Sequence, residues 1–208
     1  ENHRRAAAAE GYDAVAVDLR GTSGSPSGAK KVRMAEHVDD LRAFVADALG
    51  GARAPALVGH SFGGAVVQKL LEADADARLA DGRAAPSVAG AALVCSVPPS
   101  GNAGMVKRFV LRTPRRALVV TRGFALKSVL TSRADCRELF FGARSGVADG
   151  ALDAHMRRMA ADATCGLDLA DFQSALPSRR AVAPSGRADW LARAPPCLVV
   201  GARDDFVV

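Results

Sequence analysis

The sequence predicts an α/β fold: a mostly parallel sheet with helices on both faces and an inserted helical unit. Three observations carry this expectation. Short apolar runs alternate with amphipathic helical segments. One apolar run ends in the glycine-fenced serine of "LVGHSFGG" (Leu57–Gly64) and passes directly into helix-forming residues. About ninety residues, Ser100 to Pro195, separate the third apolar run from the fourth, too many for a simple crossover.

The elements follow in order. "YDAVAVDL" (Tyr12–Leu19) reads as a strand, and Gly11 as the C-cap of the helical tail before it. Arg20–Gly28 is a Gly/Ser/Pro loop. "MAEHVDDLRAFVADAL" (Met34–Leu49) places Val38, Leu41, Val45 and Leu49 at helical spacing, with His37 on the polar side and Gly50-Gly51 as the stop. "APALVGH" (Ala54–His60) is the second strand. A helix from Phe62 to about Ala73 follows, then a polar linker to Pro86. "VAGAALVCSVP" (Val88–Pro98) is the third strand and "PCLVVGARDD" (Pro196–Asp205) the fourth. The stretch between them holds helices such as Asp149–Ala163, punctuated by Pro114, Pro177 and Pro184. This divides the chain into a discontinuous core, residues 1–99 and 196–208, and a helical insertion, residues 100–195.

Composition narrows the function classes. The chain has 208 residues, 49% hydrophobic, enough for one domain with a sizeable core and unlike a disordered chain. The net charge of +6 comes in scattered doublets, Arg115-Arg116, Arg157-Arg158 and Arg179-Arg180. No interleaved aromatics accompany them, so they read as a solvated surface, and no nucleic-acid partner is expected. Cys95, Cys136, Cys165 and Cys197 form no CxxC pair, so no metal site, redox motif or cofactor is expected. Cys95 and Cys197 lie in apolar runs and read as buried free thiols. That suits a reducing intracellular compartment or organelle better than secretion, and leaves the compartment unassigned. No apolar run approaches the roughly 18 residues that span a bilayer. The chain starts at Glu1 and stops at Val208 just past a strand. Both ends read as cut, so missing targeting signals say little.

Ser61 is the candidate reactive group. Where a strand turns abruptly into a helix, the residue in the turn projects from the carboxyl edge of the sheet. Residues two before and two after crowd their neighbours, which predicts Gly59 and Gly63 as steric requirements. The same turn aims the Phe62 amide and the helix N-terminus at an oxygen beside the serine. This pattern is the Gly-x-Ser-x-Gly nucleophile elbow.

With that motif the chain resembles the α/β-hydrolase superfamily, of the serine hydrolase type. "YDAVAVDLRGTSGS" is similar to the family's fourth strand and its Asp-x-Arg-Gly-x-Gly loop, departing from it at Thr22-Ser23. "LVGHSFGG" resembles the elbow, "GAALVCSVPPSG" the sixth strand and "PCLVVGARDD" the seventh. The resemblance implies an α/β-hydrolase fold, incomplete here, with residues 100–195 as its lid. It implies a Ser-acid-His triad in that chain order. The acid is expected three residues after Gly201, at Asp204, with Asp205 the alternative. One oxyanion donor is the amide of Phe62.

A histidine for the triad is not found among His3, His37, His60 and His155. His60 directly precedes the serine and points the other way, and His155 falls in the insertion and reads as a surface residue. The His-Gly motif that carries the second oxyanion donor is also missing. The expectation is an internal fragment of a longer serine hydrolase, inactive or nearly so alone. Its substrate is a small-molecule or lipid acyl ester of the esterase, lipase or thioesterase kind. The alternative is a non-catalytic ligand-binding or interaction protein of the same fold. In the insertion, Met105–Leu130 mixes apolar residues with Lys and Arg. It reads as a cap packing its apolar face inward, with membrane-surface contact as the other reading.

Overall fold

In a computed structural model the described residues are 2–28, 31–48, 54–82, 87–101, 107, 110–162, 166–177 and 189–202. The elements run α1 (Asn2–Ala9), β1 (Lys31–Val32), α2 (Met34–Ala43), β2 (Ala56–His60), α3 (Phe62–Asp81) and β3 (Gly90–Val94). They continue with α4 (Pro114–Ala125), α5 (Arg133–Phe140), α6 (Asp149–Asp162), β4 (Gly166–Leu167), α7 (Leu169–Ser174) and β5 (Cys197–Val200).

The main sheet has the order β2-β3-β5 and is parallel throughout. Val58, Ala92 and Leu198 stand in register across it. Parallel neighbours need crossovers, and α3 supplies the one from β2 to β3. Val66 and Leu70, and Val67 and Leu71, are pairs four apart on α3 and all are buried. They give that helix a wide apolar stripe against the sheet. It ends where Gly82 takes a left-handed φ of 67°, the usual glycine stop.

One core cluster joins α2 (Met34, Val38), α3 (Val66, Leu70, Leu71) and the sheet (Ala91, Leu93). Phe172, Leu176 and Trp190, from the long stretch between β3 and β5, complete it. A smaller cluster of Cys136, Leu152 and Met156 holds α5 to α6. Around it Arg133 grips Asp153 with two 2.6 Å bonds and Arg137 reaches Asp149 at 2.8 Å. The inserted helices therefore divide between the main core and a core of their own.

Several elements depart from the sequence expectation. Tyr12–Leu19 has no regular secondary structure and joins no sheet, and Tyr12 and Val15 are 70% and 63% exposed. Among the described residues the only strand beside β2 is β3, so this run has no ladder to enter. The loop after it is tied instead to α2, where Arg20 Nε donates to Asp40 Oδ2 at 2.8 Å.

The helix from Phe62 continues past Ala73 to Asp81. Its polar residues are structural: Asp74 accepts the Ser87 N–H at 3.3 Å, and Arg78 donates to the Arg193 carbonyl at 2.7 Å. The expected helix Met34–Leu49 is regular only to Ala43 and then widens into a π-turn, Phe44–Ala48. His37 is buried within it, not on a polar side. The pair β1–β4 is two residues a side, too short to show any period. Of the described thiols only Cys136 is buried; Cys95 is half-buried, and Cys197 is exposed on the edge strand β5. Cys165 lies outside the described residues.

The bond from Arg20 holds the Asp40 carboxyl below the usual carboxylate range, against a smaller opposing effect of burial. A carboxyl depressed in the folded state adds stability above its unfolded value of about 4 and loses it as pH falls through the folded value. Asp40→Asn is therefore expected to lower Tm slightly near neutral pH, since the pair is part-exposed. The deficit should shrink as pH falls below about 4 and disappear once the lowered folded-state carboxyl is protonated as well. Thermal melts of both proteins from neutral pH down through the acid range check this.

Candidate active site

β2 ends at His60 and α3 begins at Phe62, so Ser61 alone makes the turn. Its backbone has φ +51° and ψ −120°. Positive φ is uncommon outside glycine and costs on the order of 1–3 kcal/mol when held by its surroundings. Here the surroundings are explicit. The Ser61 N–H donates to the Val94 carbonyl of β3 at 3.1 Å, and the Gly64 N–H donates back to the Ser61 carbonyl at 3.0 Å.

Ser61 occupies the N-cap position of α3. An N-cap serine ordinarily accepts a bond from the second or third helical N–H. This one makes no such bond. Among the described residues the hydroxyl of this half-buried serine is thus left uncommitted at the carboxyl edge of the sheet. Beside it, the N–H of Phe62 has no acceptor among the described residues and belongs to the positive end of the helix dipole.

The glycines divide differently from expectation. A Cβ on Gly59 would stand 2.6 Å from Gly64 Cα and 2.8 Å from the Gly63 carbonyl oxygen. A Cβ on Gly64 would overlap Ser96 Oγ and stand 2.5 Å from its Cβ. A Cβ on Gly63 would meet nothing within 4 Å. The second steric glycine is therefore Gly64, not Gly63. By the third residue after Ser61 the helix has turned back toward β2, whereas the second faces open space.

Gln68 fixes this approach. Its buried Nε2 donates to the Val97 carbonyl at 2.9 Å, to Ser96 Oγ at 3.0 Å and to the Gly64 carbonyl at 3.2 Å. It ties the first turns of α3 to the chain leaving β3. Neither Gln68 nor Ser96 is singled out by the sequence motif. The available signal is an amide inside the apolar run "AVVQKLL", which a buried helix face tolerates only with partners.

Phe62 links three elements. Its ring lies edge-on to His37, centroids 5.3 Å apart, and 5.6 Å from Phe172 of α7. The inserted stretch thus touches the residue next to Ser61. Met34 N–H adds a bond of 2.7 Å to Asp171 on the same helix. Burial pushes the His37 pKa below its ordinary value, so the imidazole is neutral at pH 7, and its Nδ1 has no partner among the described residues.

None of His37, His60 and His155 hydrogen-bonds Ser61. His60 is exposed, on the opposite side of β2 from Gly59. His155 is not a plain surface residue: it packs against Phe140 and Phe141, at 5.4 and 5.2 Å, with Nε2 buried and without a partner among the described residues. His3 lies in α1. Asp204 and Asp205 lie outside the described residues. β5 runs parallel to β2 with β3 between them and ends at Val200, so the chain leaves it on the edge that carries Ser61. Among the described residues no three His, Cys, Asp or Glu side chains come together as a metal site needs.

The glycine geometry makes an ordered set of substitutions. Gly63→Ala should be neutral or mildly stabilising, because helical Ala is favoured over Gly and the space is open. Gly64→Ala should cost about 1–3 kcal/mol by overpacking against Ser96, and Gly59→Ala should cost more, because the clash is with backbone. Urea unfolding of the three variants checks the order.

A model of the Alpha/beta hydrolase family matches residues 4–208. No curated protein matches the chain. The family match spans both the turn at Ser61 and the helices between β3 and β5, and the chain belongs to the alpha/beta hydrolase family.

Proposed function

We propose that the protein is a serine hydrolase acting on a carboxylic ester-type bond, with Ser61 as its nucleophile. The observation that carries this reading is the serine at φ +51° between strand and helix, its hydroxyl making no cap bond. The family, which commonly contains hydrolases, supplies the context.

The chemistry follows from the arrangement. A base takes the proton of Ser61 Oγ as the oxygen attacks the carbonyl carbon. Negative charge develops on the carbonyl oxygen, where the unpaired Phe62 N–H offers a fixed donor. Collapse of that intermediate expels the alcohol or thiol, which takes the proton from the base. Water then attacks the acyl-enzyme with the same base assisting, and Ser61 is regenerated. Asp204 orients the base, a histidine supplied from outside these 208 residues. The helices between β3 and β5 act as the lid, bringing α7 over Phe62. A small-molecule or lipid acyl ester is the substrate class.

The second reading, a non-catalytic ligand-binding protein, is favoured by one observation: none of His37, His60 and His155 hydrogen-bonds Ser61, and His37 and His155 pack on phenylalanine rings instead. Kinetics separate the two. The complete gene product should hydrolyse a p-nitrophenyl acyl ester, and Ser61→Ala should lower kcat/KM by at least about 10³-fold with an unchanged melting temperature. Turnover that survives Ser61→Ala, or a folded parent protein without turnover, overturns the catalytic assignment.

A further inference from the structure

The long stretch between β3 and β5 carries a surface that Ser61 chemistry does not use. Between Asp81 and Asp135 the chain has no acidic residue, while Met105–Leu130 holds seven Lys and Arg. α4 lies inside this acid-free stretch. One side of it packs inward. Val119 is buried, and Gly123 abuts Val129 so closely that a Cβ would stand 3.2 Å from it.

The outward side is not the polar face of an ordinary surface helix. Leu118 is 64% exposed, Leu111 just before the helix 74%, and Leu126 just after it 75%. Exposed Arg112, Arg115, Arg116 and Lys127 are interspersed among these leucines. Arg115 and Leu118 are three residues apart and share one side of α4. Asp135, the first acid after the stretch, is buried and bonded by Arg122 and Ser128, so it lends the surface no free negative charge.

Charge and apolarity together select the occupant. A second copy of the chain would bring arginines onto arginines, and like charge across an interface is repelled. Nucleic acid supplies anions but no apolar phase for the leucines. An anionic lipid surface supplies both, headgroup charge for Arg and Lys and the acyl boundary for Leu. We propose that Leu111–Lys127, centred on α4, is a docking surface for an anionic lipid bilayer. The proposed contact is peripheral: no helix among the described residues is long and apolar enough to span a membrane. The proposal stands apart from the role of Ser61, because its test reads partition and not turnover.

The test is co-sedimentation with vesicles of phosphatidylcholine alone and of phosphatidylcholine mixed with phosphatidylglycerol. Melting curves verify that each variant is folded. The parent should partition onto the mixed vesicles and not onto the neutral ones, weakening as salt rises. Joint Leu111→Ser, Leu118→Ser and Leu126→Ser should cut partition by about tenfold or more, and so should joint Arg115→Glu and Lys127→Glu. The same reversal at Arg157 and Arg158, exposed on α6, should leave it unchanged. Three results overturn the proposal: no partition by the parent, partition indifferent to the leucines, or equal loss from the Arg157 and Arg158 reversal. The last two would reduce the effect to adsorption by a basic chain. Tighter binding to duplex DNA, or self-association without partition, would assign the surface to a different partner.

Discussion

The near-contact of two backbones, β2 at Gly59 and α3 at Gly64, is the constraint on which the rest of the structure depends. A methyl group on either would press into its neighbours, so the strand and helix meet only where both lack side chains. That closeness forces the turn into one residue and drives Ser61 to positive φ. The strain is held by bonds from β3, through Val94, and by the Gln68 amide. A serine in this position cannot do what serine ordinarily does at a helix start, so its hydroxyl stays uncommitted. The structural peculiarity and the proposed chemistry are the same fact seen twice.

The turn is also where distant parts of the chain converge. Phe62 rests on His37 of α2 and on Phe172 of α7. Phe172, Leu176 and Trp190 enter the main core although some seventy residues or more separate them from β3. α7 thus touches both the residue after Ser61, through Phe172, and the start of α2, through Asp171. The neutral, buried His37 sits in the same contact. A proton there would place a charge in the core beside Phe62 with Nδ1 unmatched, a costly arrangement.

How much of this was legible in the sequence depends on range. The parallel α/β pattern follows from local periodicity, and the family match agrees with that fold; the single-residue turn at Ser61 follows from one motif. The spacing rule behind the motif named Gly63, because a sequence pattern counts residues and does not measure which way each faces; helical rotation moves the crowding to Gly64. Gln68 and Ser96 escaped because their role exists only when α3 meets the chain after β3. Tyr12–Leu19 has the apolar pattern of a strand, yet pattern creates a strand only beside a partner, and none lies there among the described residues. His37 was misplaced for a related reason: an imidazole scores as polar on a helical wheel, while burial against Phe62 is a tertiary event. The same limit applied to Leu118 and its neighbours. Their apolarity was visible, but only the packing of α4 shows that they face outward.

The central claim is that the turn makes Ser61 a nucleophile, and the most direct measurement is covalent. The complete gene product is incubated with a fluorophosphonate probe and the adduct is located by peptide mass mapping. The account predicts one adduct, on Ser61, absent from Ser61→Ala and from heat-unfolded protein. An adduct confined to another residue, or none on folded protein, would contradict it.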